Sequence, residues 1–161
     1  MKGKSLLFEI LRWVAALVAV VYLGVLLGGN AISNAAFSDV EAAVVAQVDT
    51  TNMVKAENRM VKRLYGLDPA SFEGCVLYYP ASNMDAEELL LVKLSETSQA
   101  EQVKAAMEAR LQTQKNSFEG YGVEQFDLLS NFCVLEVRGN YALFLVSRDY
   151  VPARDAFQDS L

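Results

Sequence analysis

The stretch "FCVLEVRGNYALFLVS", Phe132 to Ser147, decides how this chain folds. Two runs rich in β-branched, aromatic and aliphatic residues flank Gly139-Asn140, a two-residue turn that accepts positive φ, so the segment reads as a β-hairpin. Pairing across the turn sets Cys133, Leu135 and Val137 on one face with Ala142, Phe144 and Val146, and leaves Glu136 and Arg138 on the other. The first set is expected to be the core face.

Working outward, "CVLYY" (Cys75 to Tyr79, closed by Pro80) and "LLLVKL" (Leu89 to Leu94) read as a second pair of strands. The intervening "PASNMDAEE" has the Pro, Ser, Asn and Asp of a loop. Ser98 and Glu101 have capping-box spacing, and Ala100, Val103, Met107 and Leu111 mark one face of a helix running to about Lys115. In "KNSFEGYGVEQFDLL", Lys115 to Leu129, Phe118 continues that apolar face and Gly120 caps the helix, while Phe126, Leu128 and Leu129 lead into the hairpin. That stretch reads as a packing connection, with a recognition loop as the alternative. "VPARDAFQDSL" closes the chain as a short helix facing Ala153, Ala156 and Phe157 inward.

Ahead of the strands, Phe37, Val40, Val44 and Val48 recur at helical spacing, and Met53, Met60, Leu64 and Leu67 restart it after "DTTN". Two helices, or one with a break, are expected. The fold class is therefore α+β: helices, then a four-stranded, largely antiparallel sheet in ββαββα order with helices on one face.

From Trp13 to Ser38 the chain carries no charge, and residues 13–32 are almost wholly apolar. Roughly 20 such residues, as a helix, cross a hydrocarbon core of ~30 Å. Lys2, Lys4 and Arg12 precede this run while Asp39 and Glu41 follow it, which places the N-terminus in the cytoplasm and the remainder outside. The expected division is a cytoplasmic basic tip over 1–12, a transmembrane anchor over 13–32, a juxtamembrane helix over 33–48 and an extracytoplasmic α+β domain over 49–161. A cleavable signal peptide, with Ser33-Asn34-Ala35 near the processing site, is the rival reading and gives the same compartment.

The net charge is -6 over 161 residues; the first twelve contribute +2, leaving -8 for the rest. An acidic body without a basic stripe disfavours nucleic acid as a partner. The absence of histidine removes the commonest general base and metal ligand. No Gly-x-Ser-x-Gly elbow, Ser-x-x-Lys or phosphate-cradling loop occurs, and no cofactor is expected. Cys75 and Cys133 lack an activating base and sit in apolar runs, so they read as small buried hydrophobes, with one disulfide between neighbouring strands as the alternative. Asn83, Asp85, Glu87 and Glu88 supply hard oxygen ligands in one loop, yet without the spacing of a calcium loop. Those four, with the aromatics Tyr78, Tyr79 and Tyr121, form the candidate ligand or partner surface.

The set "LYGLDPASFEGCVLYYPASNMDAEELLLVKL", "ARLQTQKNSFEGYGVEQFDLL" and "VRGNYALFLVS" resembles a domain-of-unknown-function family of membrane- or lipid-anchored extracytoplasmic proteins from Gram-positive bacteria. The likeness spans roughly Asp49 to Leu161 and implies an external α+β domain with no assigned catalytic residues. Unlike lipid-anchored members, this chain has no lipobox cysteine. The expected function is a non-catalytic interaction or accessory domain of the cell envelope, held in the bilayer by its N-terminal helix and serving an envelope protein partner. A small-ligand or cation-binding domain is the alternative, and a carboxylate-based envelope hydrolase the third reading.

Overall fold

The computed structural model describes residues 12–20, 22 and 31–161. Residues 12–20 are helical. Among the described residues no helix is long and apolar enough to cross a membrane. The expected span over 13–32 includes residues 21 and 23–30, which lie outside the described residues, as do residues 1–11 of the basic tip.

The compact unit Ile32–Leu161 carries the fold. Its elements in chain order are α1 (Phe37–Val45), β1 (Met53–Lys55), α2 (Asn58–Tyr65), β2 (Gly74–Pro80), β3 (Glu88–Lys93), α3 (Ala100–Phe118), α4 (Val123–Asn131), β4 (Cys133–Arg138), β5 (Tyr141–Val146) and α5 (Tyr150–Asp159). The fold is α+β, and the five strands form one antiparallel sheet in the order β1-β2-β3-β5-β4.

The β4–β5 hairpin has the expected register, with Cys133 opposite Val146, Leu135 opposite Phe144 and Val137 opposite Ala142. Gly139 takes the turn's positive φ of 55°. The expectation of helices on one face does not hold. Leu90, Val92, Ala142 and Phe144 pack under α2, α3 and α4 through Val61, Val103, Met107 and Leu129. On the reverse face Leu89, Leu91, Leu143 and Leu145 pack against Val40 and Val44 of α1 and Ala153 and Phe157 of α5. The reason is in the strands: all six residues of β3 and of β5 are buried, and their near-continuous apolar runs need cover on both sides. Each buried leucine is worth roughly 2 kcal/mol, so neither layer is optional.

Three further corrections are local. The fifth strand, β1, occupies residues read as the restart of a helix. After the turn at Thr50–Asn52 the chain pairs Met53, Val54 and Lys55 with Pro80, Tyr79 and Tyr78, and three residues are too few to display an alternating pattern. The connection after α3 contains α4, with Leu128 and Leu129 buried on a helix instead of leading a strand. The capping box ahead of α3 is Glu96 with Gln99, on a single 3-10 turn over Thr97–Gln99.

Phe118 is 5% exposed and belongs to the core, as its place on the α3 stripe predicts. Its ring occupies the space that a Cβ on Gly122 would need, so the glycine there is required by packing. Residues 33–36, expected to begin a juxtamembrane helix, have no regular structure, and the helix starts at Phe37. They are nonetheless held. The Ser33 amide donates to Asn140 Oδ1 at 2.8 Å, Asn140 Nδ2 returns a bond to the Ser33 carbonyl at 3.1 Å, and Ser33 Oγ donates to the Leu161 carbonyl at 3.0 Å. Tyr141 Oη and Lys93 Nζ both donate to the Ala35 carbonyl, at 2.9 and 3.0 Å.

Cys75 and Cys133 are free. They lie on β2 and β4 with β3 and β5 between them and in offset registers, so the three strand spacings of ~4.8 Å alone put them well beyond disulfide reach. A digest of the non-reduced protein should therefore contain no Cys75–Cys133 linked peptide. Denaturant unfolding should show Phe118→Ala destabilised by about 3 kcal/mol, while Glu119→Ala and Glu124→Ala stay within about 0.5 kcal/mol of the wild type.

Candidate functional site

Glu88 opens β3 on the face covered by α2 and α3, and its carboxylate is fully buried. A bare carboxylate there would cost several kcal/mol, so it has to be surrounded by donors. Three side chains supply them. Arg110 binds it in a fork, Nε to Oε1 at 3.1 Å and Nη2 to Oε2 at 2.7 Å. Gln114 Nε2 donates to Oε2 at 2.9 Å, and the Tyr65 hydroxyl donates to Oε1. Burial, and after it the adjacent Glu88 charge, hold the Tyr65 hydroxyl well above its ordinary range, so it remains a donor.

Gln114 is 5% exposed. Because an ionised carboxylate only accepts, the Gln114 nitrogen must face Glu88 and its oxygen must face away. Among the described residues nothing donates to Gln114 Oε1. A buried acceptor left in that condition costs about 1–3 kcal/mol, which makes it the one polar atom of this network that the fold does not account for.

Arg110 and Gln114 also line a cleft of about 420 Å³ between α2, α3 and the β2–β3 connection. Its other polar walls are Arg63, Tyr79, Ser82, Asn83, Asp85, Ser117 and Tyr121, with Leu64, Pro80 and Phe118 as apolar surface. The connection is shaped by its own turn, in which the Met84 amide donates to Ser82 Oγ at 3.1 Å and the Asp85 amide to the Ser82 carbonyl at 3.2 Å. Tyr121 is 65% exposed, with its ring 6.0 Å from that of Phe118.

Of the residues singled out in the sequence, Tyr79, Asn83, Asp85 and Tyr121 meet in this cleft. The others do not. Tyr78 points to the opposite face, where Lys55 Nζ lies 5.5 Å from its ring centroid. Glu87 lies in a separate depression of about 260 Å³ with Glu124 and Arg148; partial burial, then Asp49 and Asp85, push its carboxyl upward. Glu88 is not an open loop ligand at all, because its oxygens are taken by Arg110, Gln114 and Tyr65. Arg110, Gln114 and Tyr65 were missed. The signal was present in α3: Val103, Met107, Gln114 and Phe118 form its buried stripe, and a glutamine in that stripe with an arginine four residues earlier marks a polar core contact.

The lining of the cleft bears on its chemistry. Asp85 is the only carboxylate among its described lining residues, so the paired acids of glycoside hydrolysis are not assembled there. Neither thiol takes part. Burial pushes Cys75 up to about 12 and also raises Cys133, keeping both as unreactive thiols at neutral pH. Among the described residues no cluster of three or more acidic or sulfur ligands is placed to hold a metal ion.

A family model described as a domain of unknown function, DUF4358, matches residues 46–147, and the chain belongs to that family. The matched region runs from just after α1 to the end of β5, and so includes the whole Glu88 network and the cleft. No curated protein and no solved structure matches the chain.

Removing one partner of a buried ion pair strands the other. Arg110→Met is expected to lower unfolding stability by roughly 3 kcal/mol, and adding Glu88→Leu should recover part of that loss. Alkali should act separately. An unfolded chain loses the Cys75 proton near the ordinary 9.0 and the Tyr65 proton near 10.0, whereas the folded chain keeps both to higher pH. Both groups therefore contribute fully below those values, and stability should fall as pH rises from about 9 towards 12. Equilibrium unfolding against pH checks this, with Cys75→Val expected to flatten the first part of the decline.

Proposed function

We propose that this chain is a membrane-anchored binding module of the cell envelope, its α+β domain lying outside the cytoplasmic membrane and recognising an envelope component through the cleft above β3. The observation that carries the reading is the cleft itself. Asn83, Asp85, Tyr79 and Tyr121 converge there with Arg110 and Gln114, and no thiol or histidine stands among its described lining residues. That arrangement favours a bound small ligand or an inserted group over chemical turnover.

The placement rests on the charge pattern. Lys2, Lys4 and Arg12 precede an uncharged run that continues to Ser38, and Asp39 and Glu41 follow it, which supports an N-in, single-pass anchor with the lipid bilayer as first partner. Retention of the segment is favoured over its removal by the bonds to Ser33 and Ala35, since cleavage around Ser33-Asn34-Ala35 would delete or loosen residues that Asn140, Tyr141 and Lys93 hold. The acidic body disfavours nucleic acid. An envelope protein partner remains part of the proposal, as the carrier or presenter of whatever enters the cleft.

Two measurements test this. Protease added to intact, wall-stripped cells should digest the region after Ser38; full protection refutes the external placement. A photo-crosslinker at Asn83 in the full chain should capture an envelope component that one at Glu101 does not, and equal capture at both positions, or none at Asn83, refutes the cleft as the binding surface.

A further inference from the structure

We infer that β4 is a docking edge for a second copy of this chain, the two β4 strands pairing antiparallel about Leu135 so that two five-stranded sheets join into one. The inference does not depend on the cleft. It starts from the two ends of the sheet, which are β1 and β4. β1 is three residues long and closes on Lys55, the usual protection of an open edge. β4 is six residues long, its register against β5 runs without a bulge from Cys133 to Arg138, and it holds neither lysine nor proline. Its two charges do not guard it, because they answer each other: Arg138 Nε lies 3.3 Å from Glu136 Oε1, and Gln158 Nε2 donates to both Glu136 oxygens at 2.9 Å.

The ladder shows which backbone groups stand open. The Ser147 amide donates to the Phe132 carbonyl at 3.1 Å. Bonding alternates along an antiparallel pair, so Val134, Glu136 and Arg138 turn their backbone groups to β5 while Cys133, Leu135 and Val137 turn theirs outward. Among the described residues nothing bonds those three N–H and three C=O groups. A second β4 centred on Leu135 satisfies all of them: Leu135 exchanges two bonds with its own equivalent, and Cys133 meets the equivalent of Val137. The same register sets Glu136 against the equivalent of Val134. A slip by two residues in one direction opposes Glu136 to its own equivalent, and a slip in the other leaves Val137 unpaired. The strand is thus complementary to its own sequence in one register, which selects a copy over a foreign strand. Pairing also covers Cys133, Leu135 and Val137, which border the core half-buried. The two-fold axis of such a pair stands perpendicular to the sheet and keeps both reverse faces on one side. Ala35 and Phe37 pack on that face, so the segments entering α1 lie on the same side in both copies, as two anchors in one bilayer need.

The test is oxidation of the full chain carrying Val137→Cys in detergent micelles, with sedimentation measured beforehand. Positions 133 and 137 on one strand are ~13 Å apart and cannot bond within a chain, whereas across the two-fold pair their Cα atoms stand at ~5.5 Å, within disulfide range. The sample should sediment as a dimer, and a mixture of isotope-labelled and unlabelled chains should yield peptides linking Cys133 of one copy to position 137 of the other. Adding Leu135→Pro, which removes the central outward N–H and is compatible with an edge strand, should cut the linked fraction about tenfold. Val137→Lys in the otherwise unaltered chain should sediment as a monomer with an unchanged thermal unfolding transition, so the result does not depend on how the proline variant folds. A chain that is monomeric at every concentration overturns the inference, whether or not a peptide of another protein occupies β4. So does a dimer that survives Val137→Lys, or one whose oxidation never joins positions 133 and 137.

Discussion

The carboxylate of Glu88 is the constraint around which one side of this domain is arranged. It is a full charge on a central strand, and the fold keeps it there by bringing Tyr65 from α2 and both Arg110 and Gln114 from α3 to the same two oxygens. Apolar packing sets how near these helices lie to the sheet, but it tolerates sliding. A bidentate guanidinium does not, since a shift of an ångström breaks both of its bonds. The network therefore fixes the register of α2 and α3 over β3, and with it the width of the cleft between them.

In the proposed binding module, stability and recognition share side chains. Arg110 and Gln114 both satisfy Glu88 and both line the cleft. A surface built on helices and held by a bidentate charge pair is preorganised in the sense that limits the entropy lost on binding. The outer wall is different. The β2–β3 connection is held mainly by its own turn, so adjustment to a ligand belongs to Asn83 and Asp85 and not to the floor.

Much of the architecture was legible in the residues. The Gly139-Asn140 turn gave the hairpin and its register, and the spacing of Val103, Met107 and Phe118 gave the buried face of α3. What escaped has physical causes. The unbroken apolar runs of β3 and β5 were read as one core face plus its reverse, although continuous burial is itself the mark of a two-sided strand. The strand β1 is too short to declare a period, and its pairing with β2 is visible only once the chain has folded back. For the site, Tyr79, Asn83, Asp85 and Tyr121 were recognisable as polar and aromatic residues in connecting segments. The buried trio behind them was not, because a core glutamate is assigned by its partners, and those lie 22 to 26 residues away in sequence.

The fastening of Ser33 and Ala35 bears on how the domain answers to force. Tension drawn through the chain at Ile32 would not first unwind α1. It would load the paired bonds between Ser33 and Asn140, at the tip of the β4–β5 hairpin, and behind them the bonds from Tyr141 and Lys93 to Ala35. Both sets stand between the point of pull and the first turn of α1, Ser33 first and Ala35 next. Tyr141 and Lys93 belong to the two fully buried strands, β5 and β3, which places the mechanical root of the domain in its most deeply buried layer. The hairpin that defines the fold thus also serves as its cleat.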